Sequence, residues 1–110
     1  MSAAAQSSGQ RVADQMSSPG GALVRVFVIC NKKGLHARAS AKFVQAVEKF
    51  DAEVRVTRGN ETVGGTSIMG LMMLAAAPGT SITVEATGNE AAEVMEALAA
   101  LIASRFGEED

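Results

Sequence analysis

Leu23-Val24-Arg25-Val26-Phe27-Val28-Ile29-Cys30 leads through Asn31-Lys32-Lys33-Gly34-Leu35-His36 into Ala37-Arg38-Ala39-Ser40-Ala41-Lys42-Phe43-Val44. The first segment is apolar and β-branched and too short for a helix of its own, so it reads as a buried strand. Beyond Ala39, the apolar residues Phe43, Ala46, Val47 and Phe50 recur at helical spacing. Arg38, Lys42, Gln45 and Lys49 take the other side, which predicts a helix over 37–50 with one buried stripe. Gly34 allows a sharp turn between strand and helix at little steric cost, and Leu35 is expected to anchor the approach.

Downstream, Glu53 to Thr57 alternates with Val54 and Val56 inward, and Gly59-Asn60 supplies a hairpin turn into Glu61 to Gly64. Thr66-Ser67 offers an N-cap to a short helix over 68–75, and Pro78-Gly79 makes the next turn. Ser81 to Thr87 alternates again, with Ile82, Val84 and Ala86 on one face. Asn89 is expected to cap a last helix whose stripe is Val94, Leu98, Leu101 and Ile102, with Glu90, Glu93 and Glu96 near its positive end. The order is βαββαβα. An α+β open-faced β-sandwich, with three helices on one face of a four-stranded, mostly antiparallel sheet, buries these stripes. Upstream, residues 1–21 are rich in Ala, Ser, Gln and Gly and close on Pro19-Gly20-Gly21, so they read as a disordered tail before a domain over 22–110.

The chain has 110 residues, enough for one domain with a modest core, and 47% apolar and 20% charged residues fit that class. It has no Trp or Tyr and only four Phe, so aliphatic side chains build the core. A net charge of −2 excludes a strongly basic nucleic-acid binder, and so few aromatics give no base-stacking platform. The charge is unevenly distributed. Five basic residues and no acidic one lie between Ala22 and Lys42, whereas Glu85 to Asp110 holds seven acidic residues and one arginine. Cys30 stands alone, so a reducing compartment is the default and a buried, hydrophobe-like role is expected for it. No apolar run approaches the ~18–20 residues of a membrane span, and the N-terminus lacks a signal-peptide pattern. A soluble cytoplasmic protein with no membrane insertion follows as the expectation.

His36, the one histidine, falls at or just before the start of the first helix. There the amides of Ala37, Arg38 and Ala39 lack intrahelical acceptors and point back toward the imidazole. A phosphoryl group carried on Nδ1 would meet those donors and the positive end of the helix dipole. Arg38 adds a planar cationic fork suited to phosphate oxygens. One histidine and one distant cysteine give no metal-ligand cluster, so neither metal nor cofactor is expected.

Gly34-Leu35-His36-Ala37-Arg38 followed by Ala41-Lys42-Phe43-Val44, together with Thr66-Ser67-Ile68-Met69-Gly70-Leu71-Met72-Met73-Leu74, resembles the HPr family. These are the histidine-containing phosphocarriers of the bacterial phosphoenolpyruvate-dependent phosphotransferase system, and the resemblance spans roughly residues 22–106. It implies that His36 takes a phosphoryl group from phosphorylated enzyme I and passes it to an enzyme IIA component, with Arg38 accompanying it. The protein would then be a relay carrier rather than an enzyme. It also implies that Ser67 is open to an HPr kinase/phosphorylase. The family commonly has proline where this chain has Ala39, which leaves one more amide donor and a looser helix start. Sugar-transport and nitrogen-related regulatory systems use similar carriers, and both branches stay open.

The short second helix is apolar all round, and a helix lying on a sheet buries only one stripe. Leu71 and Leu74 are its core candidates; Ile68, Met69 and Met72 should form an exposed patch for partner docking, where methionine adapts to several shapes. A monomer is expected. The alternative reading is a non-phosphorylated regulatory binding module acting through the Ile68/Met69/Met72 patch; retention of both His36 and Arg38 argues against it.

Overall fold

The computed structural model describes residues 15–17 and 22–108. In chain order the elements are β1 (Gln15–Ser17), β2 (Leu23–Val28), α1 (Ala37–Glu48), β3 (Glu53–Arg58), β4 (Glu61–Gly64), α2 (Ile68–Met73), β5 (Ser81–Thr87) and α3 (Ala91–Ala103). A short turn, Arg105–Gly107, closes the described chain. The sheet order is β1-β2-β5-β3-β4, and all of these neighbours are antiparallel. The four strands and three helices foreseen from the alternating and helical patterns are therefore all present.

The alternation works as the pleat requires. Val54, Val56, Ile82, Val84 and Ala86 point to one face and are at most 3% exposed. Against them pack Phe43 and Val47 of α1, Leu71 of α2, and Val94, Leu98 and Ile102 of α3. The β3–β4 hairpin closes through Gly59-Asn60, with Arg58 opposite Glu61 and a φ of +62° at Gly59. Positive φ at the first central residue alone is the signature of a type II′ turn.

Several expectations change. The strand β2 is half-buried: Phe27 and Ile29 face the helices, whereas Val26 (47%) and Val28 (57%) stand exposed on the opposite face. An apolar run cannot report how many sheet faces are covered, and here only one is. Cys30, beyond the end of the strand, is exposed rather than buried, its thiol donating to the Ile102 carbonyl of α3 at 3.3 Å. Within the stretch read as a tail, Gln15–Ser17 pairs with Leu23–Arg25 as a fifth, edge strand; the rest of 1–21 lies outside the described residues. Edge pairing satisfies backbone groups of β2 and needs no apolar side-chain pattern, so composition carries no trace of it. Asn89 does not cap α3. Its amide donates to Asp51 Oδ2 at 3.0 Å, and the capping position is Glu90, whose Oε1 accepts from the Asp51 N–H at 2.6 Å. Both side chains are engaged by the loop before β3 instead of their own helix. The first two helices stop at Glu48 and Met73, short of the predicted 50 and 75. Among the described residues no helix is long and apolar enough to cross a membrane.

Candidate functional site

The turn from β2 to α1 is held by short backbone bonds. Gly34 has φ +67°, and a Cβ there would collide with the Ala76 carbonyl oxygen and stand 3.2 Å from Ala77 Cα. That same carbonyl accepts the Leu35 N–H at 3.0 Å, while the Leu35 side chain is buried in the core. Glycine is needed for both the left-handed conformation and the close approach. His36 follows as the N-cap of α1, in extended conformation, and the Ser40 N–H to His36 carbonyl bond of 2.8 Å opens the helix. The amides of Ala37, Arg38 and Ala39 precede that first intrahelical bond. Ala37 is exposed and open to a ligand, the Arg38 N–H is turned to the imidazole, and Ala39, expected as a third donor, is wholly buried.

The imidazole has a partner on each nitrogen. Nδ1 accepts from the Arg38 backbone N–H at 3.3 Å, a long bond. Nε2 lies 2.5 Å from Oε2 of Glu108, a short contact with a carboxylate 72 residues away in sequence. The same Oε2 accepts from Asn31 Nδ2 at 2.8 Å, and Asn31 Nδ2 also donates to the Gly34 carbonyl at 2.8 Å. The Glu108 carboxyl is held below the usual carboxylate value, chiefly by the hydrogen bond from His36. Partial burial opposes this, and the Asn31 amide and the Lys33 N–H then lower it further.

Glu108 reaches His36 because of an unusual chain end. Arg105, Phe106 and Gly107 all have left-handed φ, at 58°, 56° and 74°. That conformation costs a non-glycine residue roughly 1–2 kcal/mol, so two of the three are strained. Phe106 is buried to 1% exposure, and its carbonyl accepts from Lys42 Nζ at 2.6 Å. Burial of a phenylalanine is worth about 1.5–3 kcal/mol and offsets the strain. The result is a strap that leaves α3, inserts one ring and lays a carboxylate against the histidine.

The other candidates are placed as follows. Arg38 is in the first turn of α1 with an exposed side chain, as are Lys32 and Lys33 in the preceding loop. A cavity of about 210 Å³ opens beside His36, lined by Lys33, Leu35 and residues Ala75 to Pro78. Ser67 caps α2, its Oγ accepting from the Gly70 N–H at 2.9 Å. The cavity adjoins the other end of α2, so Ser67 lies a helix length away, roughly 9 Å for six residues. Ile68 (41%), Met69 (69%) and Met72 (40%) are exposed, while Leu71 and Leu74 are buried. Met73, also 68% exposed, belongs to the same apolar surface and was not foreseen, because periodicity in a six-residue helix poorly separates its faces. Among the described residues no cluster of His, Cys, Asp or Glu could hold a metal ion. Asn31 and Glu108 are the residues that sequence reasoning missed; an acidic side chain just past the last apolar anchor, Phe106, was the one available signal.

The sequence and the fold also match known proteins. Residues 23–104 match the family model described as the PTS HPr component phosphorylation site. The chain is 58% identical over 80 residues to the phosphocarrier protein HPr of Neisseria meningitidis, covering 73% of this chain and 90% of that protein. It is 38% identical over 86 residues to the phosphocarrier protein NPr of Shewanella violacea, covering 78% and 94%. The crystal structure of HPr-C-His from Thermoanaerobacter tengcongensis superposes with a TM-score of 0.75 at 41% identity, over 79% of this chain and 98% of that one.

Proposed function

Because this chain belongs to the HPr family of phosphotransferase-system phosphocarriers, we propose that His36 is the residue that carries the phosphoryl group. The observation that carries this reading is the pair of partners on the ring. An N–H donor at Nδ1 and a carboxylate at Nε2 describe an imidazole with its lone pair on Nδ1 and its proton on Nε2. The nucleophile is then Nδ1. It attacks the phosphorus of phosphorylated enzyme I, the N–P bond to the donor histidine breaks, and that donor leaves with the electron pair.

As the new N–P bond forms, positive charge builds on the ring, and the Glu108 carboxylate on Nε2–H meets it. The Arg38 N–H, weakly bound to Nδ1 beforehand, is handed to a phosphoryl oxygen, joined by the exposed amide of Ala37 at the helix N-terminus. The exposed Arg38 guanidinium is close enough in sequence to neutralise the transferred group. Transfer onward to a histidine or cysteine of an enzyme IIA component repeats the step in reverse. The Ile68/Met69/Met72 patch, extended by Met73, docks these partners, and phosphorylation of Ser67 by an HPr kinase/phosphorylase opposes docking. A cytoplasmic monomer serving the sugar-transport or the nitrogen-related branch fits this role.

Incubation with enzyme I and phosphoenolpyruvate, followed by intact mass measurement, tests the reading. One acid-labile phosphoryl group is expected on the wild type and none on His36→Ala. A wild type left unmodified by active enzyme I would remove the relay and favour a pure binding module.

A further inference from the structure

We propose that Asn31 is a positioning residue, which holds the Glu108 carboxylate on Nε2 of His36 and so keeps Nδ1 as the lone-pair nitrogen. This deepens the reading of His36 as the carrier and rests on it. Asn31 is wholly buried, yet among the described residues its Oδ1 has no hydrogen-bond partner. A side chain kept only for stability would be satisfied at both ends or replaced by an apolar one. Its other end is fully used. Nδ2 donates to the Gly34 carbonyl on the His36 loop and to Glu108 Oε2 on the C-terminal strap, both at 2.8 Å.

Both of those neighbours are acceptors, so the amide has one orientation and Nδ2 is the atom between them. An amide N–H in that place can only donate. It favours the ionised carboxyl, which the His36 contact also lowers, and an unprotonated Oε2 at 2.5 Å from Nε2 can only accept, so the ring proton sits there. On the opposite side, the Arg38 N–H is also an obligatory donor and requires a lone pair at Nδ1. The two ends of the ring are thus assigned by groups that cannot exchange roles. Asn31 touches neither reacting atom; it acts by tying the loop that bears His36 to the strap that bears Glu108. The left-handed turn at Arg105 and Phe106 is the strained segment that this tie helps to hold in place.

The sole histidine makes the test direct. Uniformly 15N-labelled wild type, Asn31→Ala, Glu108→Ala and the double variant would be compared by two-bond 1H–15N correlation spectra of the imidazole, well above the pH at which it protonates. The wild type should show Nε2–H alone. Each single variant should raise the Nδ1–H fraction roughly tenfold, the scale of one lost charge-assisted hydrogen bond. In the Glu108→Ala background, Asn31→Ala should add nothing, which a merely structural asparagine would not predict. An unshifted spectrum for either single variant would overturn the proposal, as would a further shift in the double variant. Where Asn31→Ala fails to fold, Asn31→Leu, which keeps the volume and removes the donor, takes its place with the same expected and overturning results. No phosphoryl transfer enters the readout, so a failed relay assay with these spectra as expected would sink the carrier reading alone.

Discussion

Replacing Gly34 with alanine separates the two demands placed on the turn before His36. The first is backbone conformation: φ is +67° there, and the left-handed region costs an L-residue roughly 1–2 kcal/mol. The second is space, because the new Cβ would collide with the Ala76 carbonyl oxygen. That carbonyl is backbone and the acceptor for Leu35 N–H at 3.0 Å, so moving it breaks a bond worth about 1 kcal/mol and loosens a buried leucine. The sum is roughly 2–3 kcal/mol, and in a domain of this size each kcal/mol moves Tm by about 4–8 °C. A fall of about 10–25 °C is expected in a thermal melt followed by circular dichroism. Gly59→Ala is the control: its φ is +62°, but nothing lies within 4 Å of the added Cβ. It should lose only the backbone share, about 1–2 kcal/mol. Phosphoryl uptake by folded Gly34→Ala should also slow, since the turn places the N-cap, while Gly59→Ala should keep its rate. Equal melting temperatures for the two variants would refute the argument from the Ala76 contact.

Ala75 has φ +52° just past the end of α2, a position that usually holds glycine, so Ala75→Gly should stabilise by roughly 0.5–1 kcal/mol, read as a Tm raised by a few degrees. Ser67→Asp keeps a good capping residue and should melt within about 2 °C of wild type while binding enzyme I more weakly in calorimetry; undiminished affinity would end the case for charge repulsion. The Glu108 carboxyl is lowered in the folded state, so its contribution is complete above the ordinary carboxylate range and disappears as pH falls through the lower folded value. Melts of wild type and Glu108→Gln between about pH 5 and pH 2 should therefore converge as acid is added, and a pH-independent gap would contradict the ionised contact.

Regular elements were legible because their signals are local. Val54/Val56, Ile82/Val84/Ala86 and the stripe of α3 each repeat at the period of their own backbone, and burial follows that period. Partnership was not legible. The exposed faces of Val26 and Val28 depend on there being no second layer over the sheet, which no property of β2 records. The engagement of Asn89 and Glu90 by Asp51 depends on a loop nearly forty residues earlier in the chain. Gln15–Ser17 joins the sheet through backbone bonds, which side chains report only weakly.

The candidate site divides along the same line, and the division has a chemical consequence. The N-cap position of His36, the amides after it and the cation of Arg38 all lie within a few residues, so sequence alone assembles a positive cradle for an anion. Glu108 is 72 residues away, delivered by a turn with left-handed φ at Arg105 and Phe106, residue types that give no notice of that conformation. Its carboxylate alters the electrostatics of the cradle. A purely positive surround would favour the arriving phosphoryl group but penalise the charge that develops on the imidazole when Nδ1 is substituted. With Glu108 on Nε2 and the amides on the Nδ1 side, opposite charges meet opposite ends of one ring. A relay must let the group go as readily as it takes it, and a site that stabilised only the phosphate would hold it. On the proposed reading, the balance between these two ends is what lets His36 act as a carrier rather than a trap, with Asn31 keeping the second end in place.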